Sequence, residues 1–224
     1  MPAPLEIHLP RSRLDALADG VYAIAVTLLV LELRLPPLGA GVSQAALIQA
    51  LQGIVPKVLV WLLSFWVAAL LWASSVRISR LAGDDGKPTV VLELGQLALV
   101  SLLPFSSALM GEHGDFGIVA ALYSAHLCAL ALLGATRATI ALPRHAAPSD
   151  RWALEARRQL LSRSWLACGC AALALALAFV VPGWNMLALL PLAARGWLMR
   201  LLPGADRREP ASEPRRPRAR DGRG

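Results

Sequence analysis

Residues able to do chemistry at depth are few, and most of them gather in one stretch. Asp15, Asp19, Thr27, Glu32 and Arg34 fall within or beside the apolar run 16–35. Ionisable groups at membrane depth are expensive and usually face a bundle interior or a watery cavity. Glu93 and Gln96 stand one turn apart in another run and are candidates to receive Arg13. His126 lies in the middle of a third run and reads as a hydrogen-bonded packing histidine. Glu112, His113 and Asp115 share a short loop; polar loops often contain such a trio, and no metal is expected there. Cys128, Cys168 and Cys170 lie in apolar stretches without the spacing of a zinc or redox pair. No run carries HExxH, GxSxG or a paired-carboxylate arrangement. The chain is therefore expected not to be an enzyme, and no cofactor is called for.

The elements that must position these residues are membrane spans. Of 224 residues, 56% are hydrophobic and only 17% charged, where soluble domains carry about 25% charged residues. Mean hydropathy is +0.55. Each span needs roughly 20 residues, so the chain holds about six and leaves no room for a large soluble catalytic domain. Runs long enough to cross the hydrocarbon are 16–35, 55–76, 89–110, 117–140, 160–181 and 184–202. Pro36 to Gly39, Arg80 to Pro88, Gly111 to Asp115, Pro143 to Arg158 and Pro182-Gly183 break them. Residues 43–54 are apolar at helical spacing and fit either an interfacial helix or an extension of the second span. The expected fold is all-α and polytopic, with six transmembrane helices in one domain, 1–202. Residues 203–224, rich in Arg and Pro, read as a basic disordered tail.

Charge placement sets orientation. The chain has 22 Lys+Arg against 15 Asp+Glu and a pI near 10.3, which on a folded polar surface would suggest nucleic acid. Here the basic residues cluster beside the spans instead, with Arg137, Arg144, Arg151, Arg157, Arg158 and Arg163 around the loop between the fourth and fifth, and no nucleic-acid partner is expected. With both termini cytoplasmic, Arg34 and Lys57 alone fall on the far side, as retention of Lys and Arg inside requires. A cleaved signal peptide is disfavoured, because its leading segment would be long and contain Glu6, Asp15 and Asp19. The seven tryptophans mostly fall toward span ends, as interfacial belts do. The arginine-rich tail either binds anionic lipid, diluted by four acidic residues, or enforces topology.

The first span has a face of its own. At about 100° per residue, Ile24, Leu28 and Leu31 fall at about 0°, 40° and −20°, with Leu17, Gly20 and Thr27 close by. Asp19 and Asp15 lie about 140° and 180° from Ile24. The aspartates and the apolar stripe cannot share an environment.

Over 13–33, the run Arg13-Leu-Asp-Ala-Leu17-Ala18-Asp19 followed by an apolar helix ending Leu-Val-Leu31-Glu resembles the first-helix signature of the transmembrane protein 175 family. That family comprises potassium channels of lysosomes and prokaryotes, and its motif has Arg, three residues, then Phe-Ser-Asp. Six spans with both termini inside suit its prokaryotic subunit. The resemblance implies a homotetramer in the cell membrane that conducts K+ on its axis through an apolar constriction, in contact with membrane lipids. It also implies that Ile24 is the filter residue, Leu28 and Leu31 stand one and two turns on, and Thr27 supplies a hydroxyl layer. Arg13 and Asp19 would tie the first helix to its neighbours. Leu17 and Ala18 replace the usual Phe and Ser. Glu32 and Arg34 read either as a mouth that concentrates cations or as an i,i+2 pair. A secondary transporter would show internal repeats and broken helices with midplane charges; that reading and a non-conducting scaffold are the alternatives.

Overall fold

A computed structural model describes residues 10–39, 41–82, 86–142, 151–182 and 184–189, and among these the chain is helical without strands. The helices are α1 (Arg11–Val30), α2 (Gln44–Gly53), α3 (Val55–Leu81), α4 (Lys87–His113), α5 (Gly117–Ala141) and α6 (Arg151–Leu177), followed by a 3-10 turn, Trp184–Leu189. The first five expected spans correspond to α1, α3, α4, α5 and α6. Of the sixth, 184–202, only the six residues of the 3-10 turn are described; the rest of it and 203–224 lie outside the described residues.

Boundaries follow local chemistry. α1 starts directly after Pro10, whose backbone is extended at φ −61°, ψ 134°. It stops at Val30 rather than at 35 because Leu35 precedes Pro36, and the residue before a proline is pushed out of the helical region. Between the two the helix tightens into 3-10 turns, with Leu31, Glu32 and Leu33 N–H donating to Leu28, Leu29 and Val30 C=O at 3.0, 3.4 and 3.1 Å. Residues 44–53 form a separate helix, capped by Ser43 Oγ accepting from Ala46 N–H at 3.2 Å. α2 buries none of its residues and passes into α3 at Ile54, with a proline in the first turn of α3, where it needs no N–H partner. α6 starts nine residues before the apolar run 160–181, since Ala, Leu, Glu, Gln and Arg all favour helix.

Four helical stretches among the described residues are long and apolar enough to cross a membrane: Gln44–Leu81, which is α2 and α3 end to end, Lys87–His113, Gly117–Ala141 and Leu154–Leu177. α1 carries Arg11, Arg13, Asp15 and Asp19 in its 20 residues and is not among these four. α4 packs against α1, α3 and α5, while α6 lies on α5 and holds the 3-10 turn. Lipid gives apolar helices little reason to associate, so close backbone approach must supply the contact. Ala18, Ala25, Ala68, Ala120, Ala171 and Ala174 accordingly sit in the core.

Buried polar groups tie the bundle together. Arg137 Nη2 of α5 meets Glu93 Oε2 of α4 at 2.7 Å, and Arg137 Nη1 donates to Ser75 Oγ of α3 at 2.8 Å. Ser64 Oγ contacts both Ser107 Oγ, at 2.9 Å, and Tyr123 Oη, at 2.7 Å. Asn185 Nδ2 of the 3-10 turn donates to Ser124 Oγ at 2.9 Å and Ala174 C=O at 3.1 Å. His126 meets Leu99 C=O through Nε2 at 2.9 Å and Ser106 Oγ through Nδ1 at 2.7 Å. A carbonyl only accepts, so Nε2 carries the proton. These two contacts join α5 to α4 on either side of Pro104, which lies inside α4.

Candidate functional site

α1 has two faces of different fate. Leu14, Ala18, Tyr22, Ala25 and Leu29, spaced by four, four, three and four, are all buried against the rest of the subunit. The face behind them is uncovered: Ile24 is 60% exposed, Leu28 41% and Leu31 54%, and Thr27 is exposed between them. Leu17 is exposed on the same stripe, and a Cβ at Gly20 would meet nothing within 4 Å. Thr27 Oγ1 donates to Ile24 C=O at 2.8 Å. Its hydrogen is spent within the helix, and its lone pairs are left for an outside group.

The aspartates face α3. Asp19 Oδ1 accepts from Trp72 Nε1–H at 2.8 Å, and Asp15 Oδ1 accepts from Ser79 O–H at 2.8 Å. One turn on α1 thus matches two turns on an antiparallel α3. Arg13 is exposed and has no side-chain hydrogen bond or ion pair among the described residues. Its expected pairing with Glu93 or Gln96 is not formed, because Glu93 lies in the interior and is engaged by Arg137. Arg137 itself, grouped by sequence with the basic residues of the following loop, is only 1% exposed. Sequence reasoning missed it and the partners Trp72, Ser75 and Ser79. The spacing of those three, i, i+3 and i+7, puts them on one helical face and was the available signal. Ala18, at the motif's usual serine, points into the subunit core.

At the opposite end of α1, Glu32, Lys57, Trp61 and Glu112 line one small cleft, so the end of α1, the start of α3 and the end of α4 meet there. Lys57 Nζ donates to Glu112 Oε1 at 2.9 Å. Hydrogen bonding to Lys57 and its positive charge hold Glu112 in its ionised form. Arg34 turns elsewhere: its Nε–H donates to Leu31 C=O at 3.0 Å. The i,i+2 pair of Glu32 with Arg34 is therefore not made. His113 lies edge-on to the Phe116 ring at 6.3 Å, and among the described residues no three His, Cys, Asp or Glu converge.

Known proteins share this arrangement of sequence and fold. The sequence model of the family described as "Endosomal/lysosomal potassium channel TMEM175" matches residues 13–104. A potassium channel of Chamaesiphon minutus is 32% identical over 142 residues, which is 62% of this chain and 67% of that protein. The chain belongs to the TMEM175 family. A potassium channel of Streptomyces collinus is 30% identical over 125 residues, 54% of this chain and 59% of that one. The crystal structure of a lysosomal potassium-selective channel TMEM175 homolog from Chamaesiphon minutus superposes with a TM-score of 0.71 and 26% identity. It covers 84% of this chain and 97% of that one. The TMEM175 match opens on Arg13, the first motif residue, and runs through α3 to Pro104 in α4. The helices that position the α1 stripe are thus within the matched region.

Proposed function

We propose that this TMEM175 chain is the subunit of a homotetrameric potassium channel in the cell membrane, with α1 of each copy on the axis and both termini cytoplasmic. Ile24, Thr27, Leu28 and Leu31 line the constriction in this reading. One observation carries it: α1, which bears four charged residues among its first nine and is not one of the helices apolar enough to cross on their own, leaves uncovered a stripe that includes Gly20 and a threonine. Lipid would be a poor cover for that helix, whereas a second copy and a watery axis suit it. One helix cannot enclose a pore, so the ring must come from several copies.

A ring of apolar side chains gates by dewetting, and its selectivity rests on the cost of partial dehydration. Potassium holds its water less tightly than sodium and passes more readily; divalent ions are turned back. The Thr27 lone pairs offer replacement ligands between the isoleucine and leucine layers. Asp19 and Asp15, bound to α3, hold the back of α1 against the scaffold while the front faces the ion. The cleft joining α1, α3 and α4 at one end supports helices that alternate in direction, and the basic residues then put the α1 N-terminus inside.

Potassium flux into liposomes carrying purified protein tests this, with sodium substituted in parallel. Wild type should prefer potassium, and Ile24→Asn should bring the preference toward one. Flux that the substitution leaves unchanged, in protein shown to be folded and oligomeric, would move the pore away from α1.

A further inference from the structure

Sequence leaves the pore mouth neutral, with Glu32 and Arg34 two residues apart and of opposite sign. The structure separates them. Glu32 faces the cleft it shares with Lys57 and Glu112, where a second acid and a base already neighbour it. Arg34 folds back onto Leu31 C=O at 3.0 Å, and among the described residues no carboxylate lies within ion-pair distance of it. The residue also borders an open groove of about 730 Å³ lined by the 34–37 segment, α2, and the Lys57 and Glu112 pair of α3 and α4, whose charges offset one another.

Geometry then places its charge relative to the stripe. The i→i+3 hydrogen bonds of Leu31, Glu32 and Leu33 make the end of α1 a 3-10 turn, in which side chains three apart eclipse. Leu28 and Leu31 follow that spacing; the ladder ends at Leu33, since Arg34 N–H donates to Glu32 C=O at 3.0 Å, and the Nε–H contact is what fixes the guanidinium on the carbonyl of the last stripe residue. A helix C-terminus carries a partial negative charge of about half a unit and would by itself draw cations to the mouth. The Arg34 guanidinium, a cation, occupies that carbonyl and reverses the sign.

We infer that Arg34 is a specificity-determining residue for conduction: a ring of its guanidinium groups makes the mouth at the α1 C-terminus cationic and limits cation entry. The inference rests on the pore lying along the α1 stripe. A positive ring lowers the local concentration of a divalent ion by the square of the factor for potassium, so it reinforces rejection by the apolar constriction. Fixed charge at a wide mouth is screened by salt, with a screening length of about 10 Å at 0.1 M and 3 Å at 1 M. A conductance limit set by this charge must therefore fade as salt rises.

The test is potassium conductance in planar bilayers for wild type, Arg34→Gln, Arg34→Lys and Arg34→Glu, at about 0.1 M and about 1 M KCl. The same membranes report the potassium-over-sodium preference of Ile24→Asn. Arg34→Gln should raise conductance about threefold at the lower salt, Arg34→Glu should raise it more, and both gains should shrink toward one at the higher salt. Arg34→Lys should stay at the wild-type value. Equal gains at both salts, or Arg34→Lys behaving as Arg34→Gln, would make the effect one of packing and overturn the inference. No gain from Arg34→Gln while Ile24→Asn loses its preference would overturn the Arg34 role and leave the pore in place. If Ile24→Asn keeps its preference, the pore reading fails and the Arg34 role fails with it.

Discussion

At the scale of single residues, Thr27 separates structure from conduction most cleanly. Its hydroxyl hydrogen is held by Ile24 C=O of the same helix, 2.8 Å away, and among the described residues its side chain makes no other hydrogen bond. Thr27→Val keeps the shape, so thermal unfolding in detergent should shift by no more than about 0.5 kcal/mol, as for surface substitutions. Removing the outward lone pairs withdraws one ligand per copy from a dehydrating ion. A net hydrogen bond is worth about 0.5–1.5 kcal/mol, so potassium flux should fall by about two- to tenfold. A lowered unfolding temperature with unchanged flux would make Thr27 a packing residue. The stripe itself was legible because a single helix fixes which of its own residues share a face. The partner of Asp19 was not, since Trp72 stands 53 residues away and its arrival depends on how α3 packs. The same holds for Arg34, whose sequence neighbour Glu32 suggested a pair that the 3-10 end of α1 undoes.

Between elements, the determining contact is the triad of Glu93, Arg137 and Ser75, which fastens α4, α5 and α3 at one depth. Both charges are almost fully buried, so losing one strands the other in a medium that solvates it poorly. Arg137→Met should cost about 3–5 kcal/mol and lower the unfolding temperature sharply. The double variant Arg137→Met with Glu93→Gln should recover most of that loss, because no unpaired charge remains. If the double variant is as unstable as the single one, the pair acts through shape and not through charge. Five of the six apolar runs located α1, α3, α4, α5 and α6, because crossing about 30 Å of hydrocarbon demands long apolar stretches. Hydropathy was silent on where the helices stop. α3 continues to Leu81 and α6 begins at Arg151, since backbone hydrogen bonding in the interface carries on through arginines that no hydrophobic run would include. The status of 43–54 turned on Ser43 as a cap and on the break at Ile54, which are local signals weaker than the surrounding apolarity. Arg137 was misread for a related reason: proximity to a basic loop says nothing about which side of α5 it occupies.

For the whole molecule, the subunit is built to present α1 outward. α3 and α4 hold the back of α1, α5 and α6 pack behind them, and the front of α1, from Leu17 through Leu31, is left uncovered. The proposed four-fold ring brings equivalent stripe residues together near the axis, while the buried face of each α1 stays inside its own subunit. A disulfide forms only where Cα atoms come within about 7 Å, so cysteine substitution reads this directly. In a chain with Cys128, Cys168 and Cys170 replaced by Ala, Leu31→Cys should oxidise to a disulfide-linked dimer on a denaturing gel, two pairs to each tetramer. Leu29→Cys, at a position only 1% exposed and two residues away, should remain monomeric under the same oxidant. The contrast matters because both residues lie at the same end of the same helix, at nearly the same depth. A monomeric Leu31→Cys, in protein that elutes as an oligomer, would mean that the uncovered stripe faces lipid and that the copies meet through another surface. Crosslinking at both positions would mean that α1 leaves its place against α4, and that the packing of Tyr22, Ala25 and Leu29 belongs to one of two states.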